Sequence, residues 1–180
     1  MLDNQMIDSS LFMDRDGVIN VDTGYLHKPE ECIFIDGIIE LLKAAKDLGY
    51  LNILVTNQAG IWRGYYSENE FHNFMKWMNA SLGNLIDDYF FCPFHPEHGV
   101  GAYKQASWDR KPNPGMFEKA IKKHNISPLR SMMIGDNLSD IEAAKKVNIA
   151  QSLYFSLPNQ RIRQRSSQLV SYIKQGSFCE

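Results

Sequence analysis

The sequence predicts an α/β fold: a central, mainly parallel sheet held in three layers between helices. Two observations lead there. Short apolar runs alternate along the chain with amphipathic stretches of helical period, the mark of strand–helix–strand crossovers. Small polar residues then stand directly after several of those runs, where a parallel sheet opens its strand ends to ligands. At 180 residues the chain suits one domain, with a core over about residues 10–155 and a polar tail over about 156–180.

The first strand falls near residues 10–13. After Gly37, IIELLKAAKDLGY has the spacing of an amphipathic helix, and Gly49 supplies its stop. Residues 51–55 form the second strand. Ser67 and Glu70 stand three apart, as in a capping box, ahead of the helical stretch FHNFMKWMNASL. DDYFF at 87–91 is the third strand, followed by a long loop. Pro114 suits the first helical position after Asn113, because its missing N–H would have no helical partner there anyway, and it introduces GMFEKAIKKHN. A strand at 131–134, a helix over DIEAAKKVN and a last strand at 152–155 complete the series. The RIRQR run in the tail reads as solvated surface.

Composition narrows the partners. With 44% hydrophobic and 22% charged residues and a net charge of −2, the chain shows no broad attraction to nucleic acid or anionic membrane. No stretch approaches the roughly 18 to 20 apolar residues of a membrane helix, and the polar, acidic N-terminus is unlike a signal peptide. Cys32, Cys92 and Cys179 are an odd, scattered set that fits free thiols in a reducing compartment. The expectation is a cytoplasmic monomer acting on a small ligand.

The residues after the apolar runs carry the chemistry. Asp14, Arg15, Asp16 and Gly17 follow the first strand, Thr56, Asn57 and Gln58 the second, and Gly135, Asp136 and Asn137 the fourth, with Asp140 shortly beyond. Taken singly these are ordinary turn and cap residues. Together Asp14, Asp16 and Asp136 bring oxygens to one rim, which suits a hard divalent cation such as Mg²⁺. A carboxylate can attack an anionic phosphate ester only if positive charge screens the approach. Lys111, in the proline-constrained run Arg110-Lys111-Pro112, is the candidate screen, and Thr56 offers a hydroxyl donor.

DRDG at 14–17, TN at 56–57, RKP at 110–112 and GDNLSD at 135–140 resemble, in order, the four motifs of the haloacid dehalogenase (HAD) superfamily of phosphohydrolases. The resemblance covers about residues 10–155 and implies a Rossmann-like HAD fold. It implies Asp14 as the nucleophile that forms an aspartyl-phosphate, and Asp16 as acid for the leaving group and base for water. Thr56 and Lys111 would hold phosphoryl oxygens. Asp14, the backbone carbonyl of Asp16, and Asp136 would hold Mg²⁺, with Asp140 orienting Lys111 or supporting the metal site.

DRDGVINVDTGYLHKPEECIFIDGI, VTNQAGIWRGYYSENEF, FFCPFHPE and DRKPNPGM further resemble the D-glycero-D-manno-heptose 1,7-bisphosphate 7-phosphatases and the related histidinol-phosphate phosphatases. That likeness implies substrate contacts from Asp22, Thr23, Gly24 and Tyr25, from Thr56, Asn57, Gln58 and Ala59, and from Arg110, with Arg63 and Asn137 as further candidates. Arg110 suits a distal phosphate. The connections after Thr56 and in the later loop are too short for a cap domain, so an open site is expected. The zinc loop common in such enzymes keeps only Cys92 here, because Ser107, Trp108 and Asp109 stand where a Cys-x-Cys pair would be. Zinc is therefore not expected despite His95 and His98, and packing of Phe94, Tyr103 and Trp108 is expected to order the loop instead. Asn137 replaces a lysine that many heptose enzymes carry. A noncatalytic phospholigand-binding protein is the alternative of another class.

Overall fold

The computed structural model describes residues 9–154 and Ser171, so Cys179 and the RIRQR run lie outside the described residues. Five strands form one parallel sheet: β1 (Ser9–Met13), β2 (Tyr50–Asn57), β3 (Asp88–Cys92), β4 (Met132–Gly135) and β5 (Gln151–Tyr154), in the order β3-β2-β1-β4-β5. Among the described residues these helices accompany them: α1 (Ile38–Asp47), α2 (Ala59–Trp62), α3 (Glu68–Ser81), α4 (Gly115–His124) and α5 (Leu138–Lys146).

The side chains of each strand alternate between two cores. Leu11, Met13, Leu54, Met132 and Ile134 pack with α1 and α3, while Phe12, Ile53, Val55 and Met133 pack with α4 and α5. This period of two makes the sheet the middle of three layers. Strands buried on both faces read as continuous apolar runs, which is why they were visible in the sequence. In α1, Ile38, Leu41, Leu42 and Ala45 form one helical stripe, and Ala44 is buried beside it. Each large aliphatic side chain so buried contributes about 1.5–3 kcal/mol of transfer free energy.

The chain runs outward from β1 to β2 and β3, then returns on the opposite face to place β4 on the other side of β1. The order of strands thus reverses at β1, and a crevice opens there beyond the strand carboxyl ends. Backbone bonds set the rim: Asp14 N–H donates to the Ile134 carbonyl at 3.0 Å and Gln58 N–H to that of Cys92 at 2.9 Å. In the connections over residues 58–67 and 93–114, the described residues carry only α2 and one 3-10 turn at Gly101–Tyr103.

The capping box of α3 forms as expected, Ser67 accepting from Glu70 N–H while the Glu70 carboxylate accepts from Ser67 N–H. Other boundaries move. Tyr50 belongs to β2 and not to the helix before it, because Gly49 at φ +82° turns the chain one residue earlier. Pro114 is the N-cap of α4 and Gly115 its first residue. A Cβ at Gly115 would lie 2.7 Å from the Trp108 carbonyl oxygen, so the tight approach of this turn fixes the start. Trp108 does not join the expected aromatic cluster. Phe94 and Tyr103 lie 5.9 Å apart, whereas Trp108 is 60% exposed and donates from Nε1 to Glu118 at 2.8 Å.

Candidate active site

A cavity of about 390 Å³ lies at the strand ends above β1, lined among others by Asp14, Asp16, Lys111, Asp136 and Asp140. Lys111 is its buried cation, 3% exposed. Its ammonium donates to the Val55 carbonyl at 2.8 Å and pairs with Asp14 Oδ1 at 3.1 Å and Asp140 Oδ1 at 2.6 Å. Burial opposes the charge on Lys111, but Asp14 and Asp140 outweigh it and hold the ammonium above its ordinary range. Asn57, at the end of β2, grips the Lys111 backbone at both groups: its Oδ1 accepts from Lys111 N–H at 3.1 Å and its Nδ2 donates to the Lys111 carbonyl at 3.2 Å. Its side chain therefore serves Lys111 first, though Asn57 also lines the cavity.

Asp14 Oδ1 accepts from Arg15 N–H at 2.8 Å as well as from Lys111, which leaves Oδ2 without a donor among the described residues. Asp140 is fully buried and committed, Oδ1 to Lys111 and Oδ2 to the Asn137 N–H at 3.0 Å. Asp136 accepts no hydrogen bond at its carboxylate among the described residues, and it comes close because residue 17 is glycine. A Cβ there would sit 2.0 Å from Asp136 Oδ2, at a φ of +80° that L side chains rarely adopt.

One oxygen from each of Asp14, Asp136 and Asp140 can be found within 4.8 Å of the others. The Asp16 carboxylate stands apart, which leaves its backbone carbonyl for the metal role that the resemblance implies. Burial, then the nearby carboxylates Asp14 and Asp140, push the Asp136 carboxyl up to about 7. Burial likewise raises Asp14 to about 6, Lys111 opposing it and Asp140 and Asp16 adding to it. Three carboxylates crowded around one ammonium fit a hard divalent cation.

The signs yield a prediction. Both carboxyls hold protons more tightly in the folded chain than their ordinary 3.8, so without metal these groups favour folding less as pH rises through about 6 to 7. A cation must displace those protons. Saturating Mg²⁺ is expected to raise Tm by roughly 5 °C near pH 8 and by little near pH 5.5, read by thermal melts. Equal shifts at both would remove these carboxylates as ligands.

Thr56 lies in β2 rather than after it, 1% exposed beneath Gln58. The Tyr66 hydroxyl donates to Gln58 Oε1 at 2.7 Å, and Gln58 Nε2 donates to Thr56 Oγ1 at 2.8 Å. The Thr56 proton is thus left for another acceptor. Tyr66 packs where a Cβ on Gly60 would lie 2.0 Å from its ring, and its phenol is pushed by burial up to about 12.

Of the expected substrate contacts, Asp22, Gly24, Tyr25, Asn57, Gln58, Ala59 and Asn137 line the cavity; Thr23, Thr56, Arg63 and Arg110 are outside its lining. Asn137 is the N-cap of α5, its Oδ1 accepting from Ser139 N–H at 3.0 Å. Arg110 donates to the Phe94 carbonyl at 3.2 Å, and Arg63 lies 4.4 Å from the Trp62 ring and 5.5 Å from that of Tyr25. Cys92 is buried and its sulfur lies 3.8 Å from the Phe94 carbonyl oxygen. His95 and His98 pack on each other at 4.7 Å and on Trp62, with His95 Nδ1 accepting from two backbone N–H groups.

Comparison with known proteins agrees with this geometry. The family of haloacid dehalogenase-like hydrolases matches over residues 14–148. The chain belongs to that family. It is 50% identical over 151 residues to a D-glycero-alpha-D-manno-heptose-1,7-bisphosphate 7-phosphatase of Burkholderia mallei, covering 82% of this chain and 80% of the relative. It is 46% identical over 144 residues to a D-glycero-beta-D-manno-heptose-1,7-bisphosphate 7-phosphatase of Haemophilus ducreyi, covering 78% and 79%. A solved structure from Mesorhizobium loti, described as a HAD-like phosphatase, superposes with a TM-score of 0.83 at 30% identity, covering 94% of this chain and 88% of that one. Among the described residues no helix is long and apolar enough to cross a membrane.

Proposed function

We propose that this chain is a magnesium-dependent phosphatase that removes the 7-phosphate of D-glycero-D-manno-heptose 1,7-bisphosphate through an aspartyl-phosphate at Asp14. The observation that carries the chemistry is Asp14 itself: a cavity-lining carboxylate with one oxygen held by Lys111 and Arg15 and the other open. Asp14 Oδ2 attacks phosphorus, and the Lys111 ammonium and Thr56 hydroxyl meet phosphoryl oxygens. Asp16 protonates the departing sugar oxygen and then takes a proton from the water that cleaves the aspartyl-phosphate. Asp14, the Asp16 carbonyl and Asp136 would hold Mg²⁺, which would supply charge to offset that of the phosphate. Asp140, spent on Lys111 and the α5 N-terminus, positions the lysine.

The relatives from Burkholderia mallei and Haemophilus ducreyi support the heptose bisphosphate, and their names differ in the anomer. Asp22, Gly24, Tyr25, Gln58 and Ala59, which line the cavity, are assigned to the sugar, and Arg110 to the distal phosphate. We assign the work to a single-domain cytoplasmic monomer. A noncatalytic binding role is disfavoured, because ligand binding alone does not call for an open nucleophile beside a buried ammonium.

The deciding experiment measures phosphate release with Mg²⁺ present or chelated, on both heptose bisphosphate anomers, histidinol phosphate and an aryl phosphate. One heptose anomer is expected to exceed histidinol phosphate by roughly 10²-fold or more in kcat/KM, and chelation to abolish turnover. Preference for histidinol phosphate would overturn the substrate and keep the chemistry. Absence of turnover on every substrate would overturn the enzyme.

A further inference from the structure

The arginine between the two aspartates has surroundings that a spacer would not need. Arg15 is 0% exposed. Its guanidinium carbon lies 5.7 Å from the Phe71 ring centroid and 5.4 Å from that of Phe74, and Nη2 donates to the Leu26 carbonyl at 3.0 Å. The remaining bonds converge on Asp16: Nε to Oδ1 at 3.1 Å, Nη2 to Oδ1 at 2.9 Å and Nη2 to Oδ2 at 2.8 Å. Asn20, also fully buried, donates from Nδ2 to Asp16 Oδ1 at 2.9 Å and to the Val21 carbonyl at 2.9 Å. Oδ1 therefore meets three donor atoms and Oδ2 meets one.

A carboxylate oxygen offers about two lone pairs, so Oδ1 is saturated while Oδ2 keeps one for another partner. A niche lined by Phe71 and Phe74 would take an apolar side chain at no desolvation cost. A guanidinium buried there makes sense when its planar fork has a carboxylate to hold in one orientation.

We propose that Arg15 and Asn20 are positioning residues that fix Asp16 with Oδ2 as its proton-transfer oxygen. This rests on the reading of Asp16 as the acid and base. In the first half-reaction the bond from Asp14 to phosphorus forms, the bond from phosphorus to the sugar oxygen breaks, and the proton on Oδ2 passes to that oxygen. In the second, water bonds to phosphorus, the aspartyl oxygen leaves, and a water proton returns to Oδ2.

The test compares a poor and a good leaving group. The sugar alkoxide of heptose bisphosphate needs a proton as it departs, whereas the nitrophenolate of 4-nitrophenyl phosphate leaves without one. Arg15→Met is expected to lower kcat/KM by roughly 10²-fold on the bisphosphate and by less than about tenfold on the aryl ester. Asn20→Ser is expected to shift the same ratio in the same direction by less. A reduced folded fraction lowers both rates alike and cancels in the ratio, so a merely structural role leaves it unmoved. Asp16→Asn is the reference. Unequal losses in Asp16→Asn with equal losses in both Arg15→Met and Asn20→Ser would overturn the proposal alone. Equal losses in Asp16→Asn as well would overturn the acid and base reading, and the proposal with it.

Discussion

Asp14→Asn is expected to lower phosphate release by roughly 10⁴-fold or more while the protein stays folded. The amide keeps the shape of the carboxyl but is a poor nucleophile toward phosphorus, and it carries no charge for a cation. The two losses separate by measurement. Steady-state rates on the bisphosphate report the nucleophile, and thermal melts with and without Mg²⁺ report the metal site. In metal-free buffer near pH 8 the variant should be no less stable than the parent, because the Asp14 carboxyl, raised to about 6 chiefly by burial, is charged there at a cost to the fold. The Tm gain on adding Mg²⁺ should shrink. A variant that retains activity within about tenfold of the parent would remove Asp14 as the nucleophile.

The strands, the two-sided core and the convergence of Asp14, Lys111 and Asp136 were legible because each depends on local pattern: apolar runs, turn residues after them, a capping box at α3. What escaped depends on partners distant in sequence. Nothing in the local pattern marks Arg15 as buried, and only Leu26, Phe71 and Phe74, brought over by the fold, reveal it as so. That Asn57, which lines the cavity, also grips the Lys111 backbone with both its amide atoms depends on a partner 54 residues on. The route from Tyr66 through Gln58 to Thr56 leaves no periodic signal, since a hydrogen-bonded chain needs only reach. Asn137 could have been found, because an Asn followed three residues later by an acidic side chain ahead of a helix is a capping signal. At four residues, α2 is too short for its period to register.

Lys111→Met is expected to lower kcat by roughly 10³-fold and, unlike Asp14→Asn, to destabilise the metal-free protein strongly. Lys111 is the cation that the site places against both Asp14 and Asp140, and it is 3% exposed. Methionine fills the volume without the charge and leaves the Asp140 carboxylate buried with, among the described residues, the Asn137 N–H as its remaining donor. Breaking a buried ion pair from one side costs about 3–5 kcal/mol. Denaturant melts at neutral pH should show a loss of that order. The loss should be smaller at mildly acidic pH, because the Asp14 carboxyl, already raised to about 6, rises further without its cation and is then neutral. Mg²⁺ should restore part of the stability by supplying positive charge to Asp14 and Asp136, yet not the rate, because the ammonium that we propose meets the phosphoryl oxygens is gone. Lys111→Arg should rescue neither fully. Its planar fork cannot reproduce a single nitrogen donating at 2.8 Å to the Val55 carbonyl while lying 3.1 Å and 2.6 Å from two carboxylates. Full activity in Lys111→Met would place the screening charge elsewhere, and Arg110, outside the cavity lining, would have to move to provide it.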